Sequence, residues 1–296
     1  MTTIARHLES FLSDPAIRRA LSTATLLNYR SDLMAAARLL PAPLDAITLQ
    51  EIDSYLGHDR AAPATAARRA ASLTRFFRWA RRHGLCTHNP LELREPIRVP
   101  RRLPRPIRTV GERMALDKAL DKAALPYKLI FMLLRETGMR VGEVLALTAG
   151  DVVLDPGRET LHVREPKNQT ERMVVLTAAS APRTLRGLRG WLKAMQPAGP
   201  HAPLFRSNQG TRVSYDAVRW HWQKVCAQAD LLTETGKPRY TIHQLRHTRG
   251  TELVEQRQPI EIVQRVLGHR DIRSTQGYAD LSDEQVRAAL EQPGRR

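Results

Sequence analysis

Four short segments of this 296-residue chain carry residue types suited to handling a phosphodiester. They are Thr137-Gly-Met-Arg140-Val-Gly-Glu143, Pro166-Lys167-Asn168, His243-Gln-Leu-Arg246-His247, and Leu267-Gly-His269 followed nine residues later by Tyr278. Two guanidiniums, Arg140 and Arg246, can each clamp non-bridging oxygens with planar, bidentate geometry and offset developing negative charge. A phenol such as Tyr278 can attack phosphorus once it is positioned and relieved of its proton, since a free pKa of about 10 leaves it mostly unreactive at neutral pH. Lys167 can give a proton to a departing sugar oxygen, and His243 and His269 can act as acid–base groups or phosphate donors. Cationic side chains do the electrostatic work in such a site, so no metal ion or other cofactor is expected.

Each piece also has a plainer reading. Arg140 and Glu143, at i and i+3, form an ordinary helix-surface ion pair in many proteins. His243 and His247, at i and i+4, are spaced to share a zinc ion, but the metalloprotease pattern needs a glutamate where Gln244 stands. His247 is expected to pack or to support a neighbouring site residue rather than to catalyse. Lys167 gains weight from scarcity, because the chain has only seven lysines beside 40 arginines.

Composition narrows the partner. Hydrophobic residues make up 42% and charged residues 26%, an ordinary balance for a folded protein. The net charge of +17 is not ordinary and points to a polyanion. A genome rich in G and C would also raise arginine, so the distribution matters. Residues 1–108 hold 18 arginines, no lysine and nine acids, a net of +9, about half the excess in little over a third of the chain. Within them, 94–108 carries six arginines and four prolines, an extended strap expected to link two domains and follow phosphates. Aromatics, at 5%, are too few for stacking platforms along single strands, so double-stranded DNA is the expected partner. No apolar run suggests a signal peptide or membrane span, and Cys86 and Cys226 suggest neither a disulfide framework nor a zinc site. A cytoplasmic location is expected.

The elements that must position these residues are mostly helical. Apolar spacing predicts helices over about 3–13, from a cap at Ser22, from a capping box at Thr48 to Glu51, and over 64–84 with a glycine stop at Gly84. On the last, Arg68, Arg75, Arg78 and Arg82 fall within an arc of about 80° and form a stripe expected to face DNA. Beyond the strap, a box at Thr109 to Glu112 opens a helix to about Ala123, and an apolar helix breaks at Gly138 before a short one. Strands are expected at 151–154, 159–164 and 171–176, making a small antiparallel sheet. Helices follow at about 179–195, 214–229, 243–256 and 259–267, with two short ones after 274.

With its four segments in this order, the chain resembles the tyrosine recombinase, or phage integrase, family, and in size its short Xer-like members. The two matching boxes are TGMRVGE, and HQLRHTRGT running through LGH to GYADL. The resemblance implies a mainly α fold: an N-terminal four-helix SAM-like core-binding domain, then a mostly helical catalytic domain with a three-stranded antiparallel sheet, the DNA breaking–rejoining fold. The implied boundaries are 1–93, a basic linker at 94–108 with Arg101 and Arg102 on DNA, and 109–296. Tyr278 is the implied nucleophile forming a 3′-phosphotyrosyl bond. Arg140 and Arg246 match the pair on the scissile phosphate, and His243 and His269 the two histidine positions. Lys167 matches the hairpin general acid, although Pro166 and Asn168 replace the glycines that flank it in many relatives. Glu143 matches an acid that orients the site.

The family's two domains close around duplex DNA, and its members exchange strands as tetramers on two sites, either of one protein or with a related recombinase. Ser282 to Gln285 caps a last helix bearing Val286, Ala289 and Leu290, expected to dock in a neighbouring protomer. Two other readings stay open at this point, a type IB topoisomerase-like relaxing enzyme and a non-catalytic DNA-binding regulator. Only about 100 residues precede the strap, which leaves no room for the arm-binding domain usual in phage integrases and favours an Xer-like or transposon-borne enzyme.

Overall fold

The computed structural model describes residues 1–100, 103–165 and 170–268. Arg101, Arg102, Lys167, His269 and Tyr278 lie outside the described residues, as do the helices expected after 274. The chain divides into two compact units, Met1–Arg102 and Leu103–Arg296. Residues 94–100 and 103–109 form neither helix nor strand, as their proline content demands.

The first unit is helical: α1 (Ile4–Ser13), α2 (Pro15–Ala20), α3 (Thr23–Leu39), α4 (Leu49–Gly57) and α5 (Pro63–Arg82). Local chemistry sets the helix starts. Thr3 and Ser22 accept the N–H groups of Arg6 and Thr25, and Thr48 and Glu51 close a reciprocal capping box. The short α2 is an element that apolar spacing does not announce. Its signal is Asp14-Pro15, where the carboxylate accepts from Ala16 and Ile17 at 2.8 and 3.1 Å and proline fills the first helical position. Phe11, Phe76, Phe77 and Trp79 meet edge-on or tilted at the centre, with Phe11 and Phe76 centroids 5.5 Å apart.

The second unit surrounds α7 (Tyr127–Thr137), whose Leu129, Ile130, Phe131, Met132, Leu133 and Leu134 are all buried. A helix apolar all round must be enclosed. Here α6 (Val110–Lys122), α8 (Val141–Ala146), α9 (Pro182–Met195) and α11 (His243–Glu255) pack on it. The sheet is antiparallel in the order β1 (Val152–Val153), β2 (Thr160–Glu165), β3 (Thr170–Val175), with Val163 opposite Arg172 and Leu161 opposite Val174. Strand β1 is shorter than expected because Thr148 and Asp151 close a tight turn over 149–151 at 2.7 and 2.8 Å. Helix α9 begins late for a similar reason: Thr177 and Ser180 bond each other in a turn, and Pro182 starts the helix. Helices α10 (Tyr215–Gln228) and α12 (Ile260–Leu267) are the unit's remaining α-helices among the described residues. Among the described residues no helix is long and apolar enough to cross a membrane.

Candidate active site

Helix α7 ends at Gly138, whose φ of +69° is a left-handed turn open to glycine at little cost. Space as well as angle demands glycine, since a Cβ there would lie 2.7 Å from Cδ2 of the fully buried Leu267. Two residues on, Arg140 caps α8. Its backbone N–H donates to Glu143 Oε2 and its Nη1 to Glu143 Oε1, both at 2.8 Å. The Arg140 Nη2 donates to the Gly268 carbonyl at 3.4 Å, and 41% of the side chain stays exposed. The i, i+3 pairing therefore exists, and it holds a guanidinium at the surface with its rear fixed.

Helix α11 supplies the second cation. His243 is its first residue, and Arg246 lies in its first turn with only 2% of its surface exposed. Arg246 Nη1 donates to the Gly138 carbonyl at 2.7 Å, so the turn that ends α7 also positions the arginine of α11. Two residues further, Thr248 Oγ1 donates to the Gln244 carbonyl at 2.7 Å and accepts the Ile107 N–H at 3.0 Å. The basic strap thus enters this unit pinned one residue from His247.

The two histidines meet edge to face, with centroids 4.6 Å apart. Partial burial, then the charges of Arg246 and Arg140, hold the His243 pKa below its ordinary value. For His247, burial, His243 and Arg246 push it down to about 4. Arg246 is seated by the Gly138 carbonyl two residues before Arg140, and His243 stands three residues before Arg246 at the N-terminus of α11, where the helix dipole adds to the guanidinium charge. Such a helix end attracts an oxyanion.

Glu143 is the hub behind it. Burial pushes its carboxyl up, and Arg172, the Arg140 N–H and the Arg140 guanidinium together reverse this and hold it below the usual range. Arg172, from β3, donates to Glu143 Oε2 at 2.9 Å and to the Val266 carbonyl at 3.2 Å. Sequence reasoning passed over this residue, although the alternation of a strand was a signal: positions 172, 174 and 176 share a face, and Val174 and Leu176 are buried. It also missed the pair beneath the site, in which Arg135 of α7 donates to both oxygens of Glu252 of α11 at 2.7 and 2.6 Å.

Of the expected site residues, the structure brings together Arg140, Glu143, His243 and Arg246. In the first unit, Arg68 departs from the expected stripe of free cations. It pairs with Asp32, a buried carboxylate from α3. The helical stripe has no acid of its own, and the neighbouring helix supplies one. Arg75, Arg78 and Arg82 instead border a cleft of about 390 Å³ with Trp79 and His83. At its edge Asp14 accepts from Trp79 Nε1 at 3.0 Å and lies 3.4 Å from His83 Nε2.

A helical core that fixes two guanidiniums through Glu143, Gly268 and Gly138 is suited, as a class, to an enzyme acting on phosphodiesters through cationic side chains. Comparison with known proteins gives the class its family. Residues 111–285 match the phage integrase family, and residues 8–84 its N-terminal SAM-like domain. The chain is 34% identical to the tyrosine recombinase XerC of Chromohalobacter salexigens, over 92% of this chain and 90% of that protein. It is 28% identical to the tyrosine recombinase XerD of Rhizobium meliloti, over 95% and 93%. In fold it resembles a lambda integrase dimer bound to a COC′ core site (TM-score 0.73, 23% identity, 99% and 98% covered). It also resembles the XerH recombinase in a post-cleavage complex (TM-score 0.71, 18% identity, 97% and 84% covered). The chain belongs to the phage integrase family and is a site-specific tyrosine recombinase, a DNA strand transferase.

Proposed function

We propose that the chain exchanges strands between two specific duplex sites by paired transesterifications, with Tyr278 as nucleophile and Arg140 and Arg246 on the scissile phosphate. The observation that carries this reading is the turn at Gly138, whose carbonyl seats the Arg246 guanidinium two residues from Arg140, with Arg246 almost wholly shielded from water. A shielded cation acts in low dielectric, where it offsets developing phosphorane charge more strongly than a solvated one. In the first step the Tyr278 oxygen bonds to phosphorus and the bond to the 5′ oxygen breaks. The leaving oxygen takes a proton from Lys167. The phenolic proton passes to a histidine of the site, and the lowered pKa of His243 keeps it neutral and able to accept near pH 7. The 5′ hydroxyl of the partner duplex then attacks the phosphotyrosine and frees Tyr278, so the bond energy is kept and no ATP is consumed.

Residues 1–93 and the strap at 94–108 hold the duplex, chiefly through phosphates, with Arg75, Arg78, Arg82, Arg101 and Arg102 contributing. The working form is a tetramer on DNA, of this chain alone or with a related recombinase, in the cytoplasm. Its protomers are linked through residues 281–296. Deleting 281–296 should spare cleavage of an isolated half-site and abolish cooperative assembly, and unchanged tetramer formation on DNA would refute that link.

The test of the chemistry is a nicked suicide duplex carrying the site that the protein selects from a random pool. Wild type becomes covalently attached and Tyr278→Phe does not. Covalent capture of the Phe variant would overturn the nucleophile.

A further inference from the structure

Arg172 sits at the meeting of three elements that the reaction needs. Its Nη2 holds Glu143, the acid that fixes Arg140, at 2.9 Å. Its Nη1 holds the Val266 carbonyl in the last turn of α12 at 3.2 Å. Its side chain also lies close against Gly268. That residue has φ +67°, and a Cβ there would come within 2.5 Å of Arg172 Nε, 2.7 Å of Cζ and 2.8 Å of Cδ. Only glycine leaves this space, so the backbone at 268 and the guanidinium occupy one another's van der Waals boundary.

The same carbonyl end of α12 receives Arg140 through Gly268 O at 3.4 Å. Two guanidiniums therefore cap the negative end of one helix, and Glu143, 7% exposed, is the counter-ion they share. A lysine would present its donors from one nitrogen, whereas the guanidinium fork reaches a carboxylate with one amino group and a carbonyl with the other. In sequence, α12 leads through Gly268 directly to His269, and β3 lies just beyond the loop that carries Lys167.

We propose that Arg172 is a positioning residue of the strand-transfer reaction. It locks Glu143, and through it Arg140, to the end of α12 and to the hairpin strand, so that the site is assembled as one body. The proposal rests on the recombinase reading above. Without Arg172, the buried Glu143 carboxylate has only Arg140 to answer it among the described residues and draws that guanidinium inward from the position of the phosphate. DNA affinity, set by many phosphate contacts, should change little. The bond-breaking step should suffer, because a displacement of about 1 Å in a reacting site costs about 100-fold in rate.

The experiment uses the full chain and the suicide duplex, with affinity measured by titration and the rate of covalent attachment at saturating DNA. Arg172→Ala should bind within about twofold of wild type and react about 30- to 100-fold more slowly, with Arg172→Lys in between. Gly268→Ala, which keeps the guanidinium but expels it from its seat, should reproduce the slow reaction. Combining Arg172→Ala with Glu143→Gln should be less than multiplicative, because the two act through one linkage. Attachment by Arg172→Ala at the wild-type rate would overturn the positioning role alone. So would a loss confined to DNA affinity with the saturated rate unchanged, or fully multiplicative effects with Glu143→Gln. Absence of attachment by wild type would bring down the recombinase reading itself, and this proposal with it.

Discussion

Gly138 links α7, α11 and α12, and its replacement by alanine tests whether that junction is as tight as the distances imply. Two costs arise. A non-glycine residue in the left-handed region at φ +69° loses about 1–2 kcal/mol. The new methyl would stand 2.7 Å from Leu267 Cδ2, a side chain with no exposed surface, packed with Leu253 and Val263 and without room to retreat. Overpacking of that kind costs about 1–3 kcal/mol, so Gly138→Ala should destabilise the second unit by about 2–5 kcal/mol. Gly157 provides the control. It has φ +80° and nothing within 4 Å of where a methyl would stand, so Gly157→Ala should show the backbone cost alone, about 1–2 kcal/mol.

Urea unfolding of both variants, followed by tryptophan fluorescence, reads the difference directly. The covalent-attachment rate reads the consequence for chemistry, because the Gly138 carbonyl seats Arg246 at 2.7 Å. A shift of that carbonyl should slow attachment by about 10- to 100-fold, while Gly157→Ala leaves it near wild type. Equal destabilisation by the two substitutions would refute the steric argument. A wild-type rate in Gly138→Ala would refute the seating of Arg246 by this turn.

Two further outcomes follow from charge. The triple variant Arg75→Ala, Arg78→Ala, Arg82→Ala should lower the slope of log affinity against log salt by about 3 if each neutralises one phosphate, and an unchanged slope would remove this face from the DNA contact. His247, held at about 4 in the folded chain, should make stability pH-dependent. Its ordinary value is 6.5, so on acidification the unfolded chain takes up the proton first. Stability is then full above about 6.5 and falls between there and about 4, by up to about 3 kcal/mol. His247→Gln should flatten that fall in denaturant titrations from about pH 7 to about pH 4, and an unaltered profile would assign it to other groups.

What the sequence makes legible here is what local chemistry decides. Thr48 with Glu51 and Thr109 with Glu112 mark helix starts because both members of each box are three residues apart. Gly138 marks the α7–α8 break because its conformation is its own. The order of Arg140, His243 and Arg246 is legible because each motif is short. Partner choice across the chain is not. Nothing near Arg68 names Asp32, 36 positions away, and nothing near Arg135 names Glu252, 117 positions away. Arg172 lies between these cases: its inward register follows from strand alternation, but its acceptors, Glu143 and Val266, come from two distant helices.

These partners bear on why arginine outnumbers lysine 40 to seven. Codon usage alone would scatter arginine without regard to geometry. Four guanidiniums of the second unit instead sit where one group serves two acceptors. Arg135 takes both oxygens of Glu252, Arg140 takes Glu143 and Gly268 O, Arg172 takes Glu143 and Val266 O, and Arg183 takes Glu136 and Asp117. An ammonium presents its three donors from one nitrogen and lacks the separated planar fork that suits such pairs, and a partly paired buried charge is costly. In the first unit, Arg75, Arg78 and Arg82 border an open cleft and form no ion pair with a carboxylate among the described residues. One residue type therefore does two kinds of work. Cross-linking arginines tie elements together in both units, as Arg30 on Glu9 and Arg94 on Asp53 do in the first, and Arg75, Arg78 and Arg82 leave the first unit's cleft edge cationic towards a polyanion.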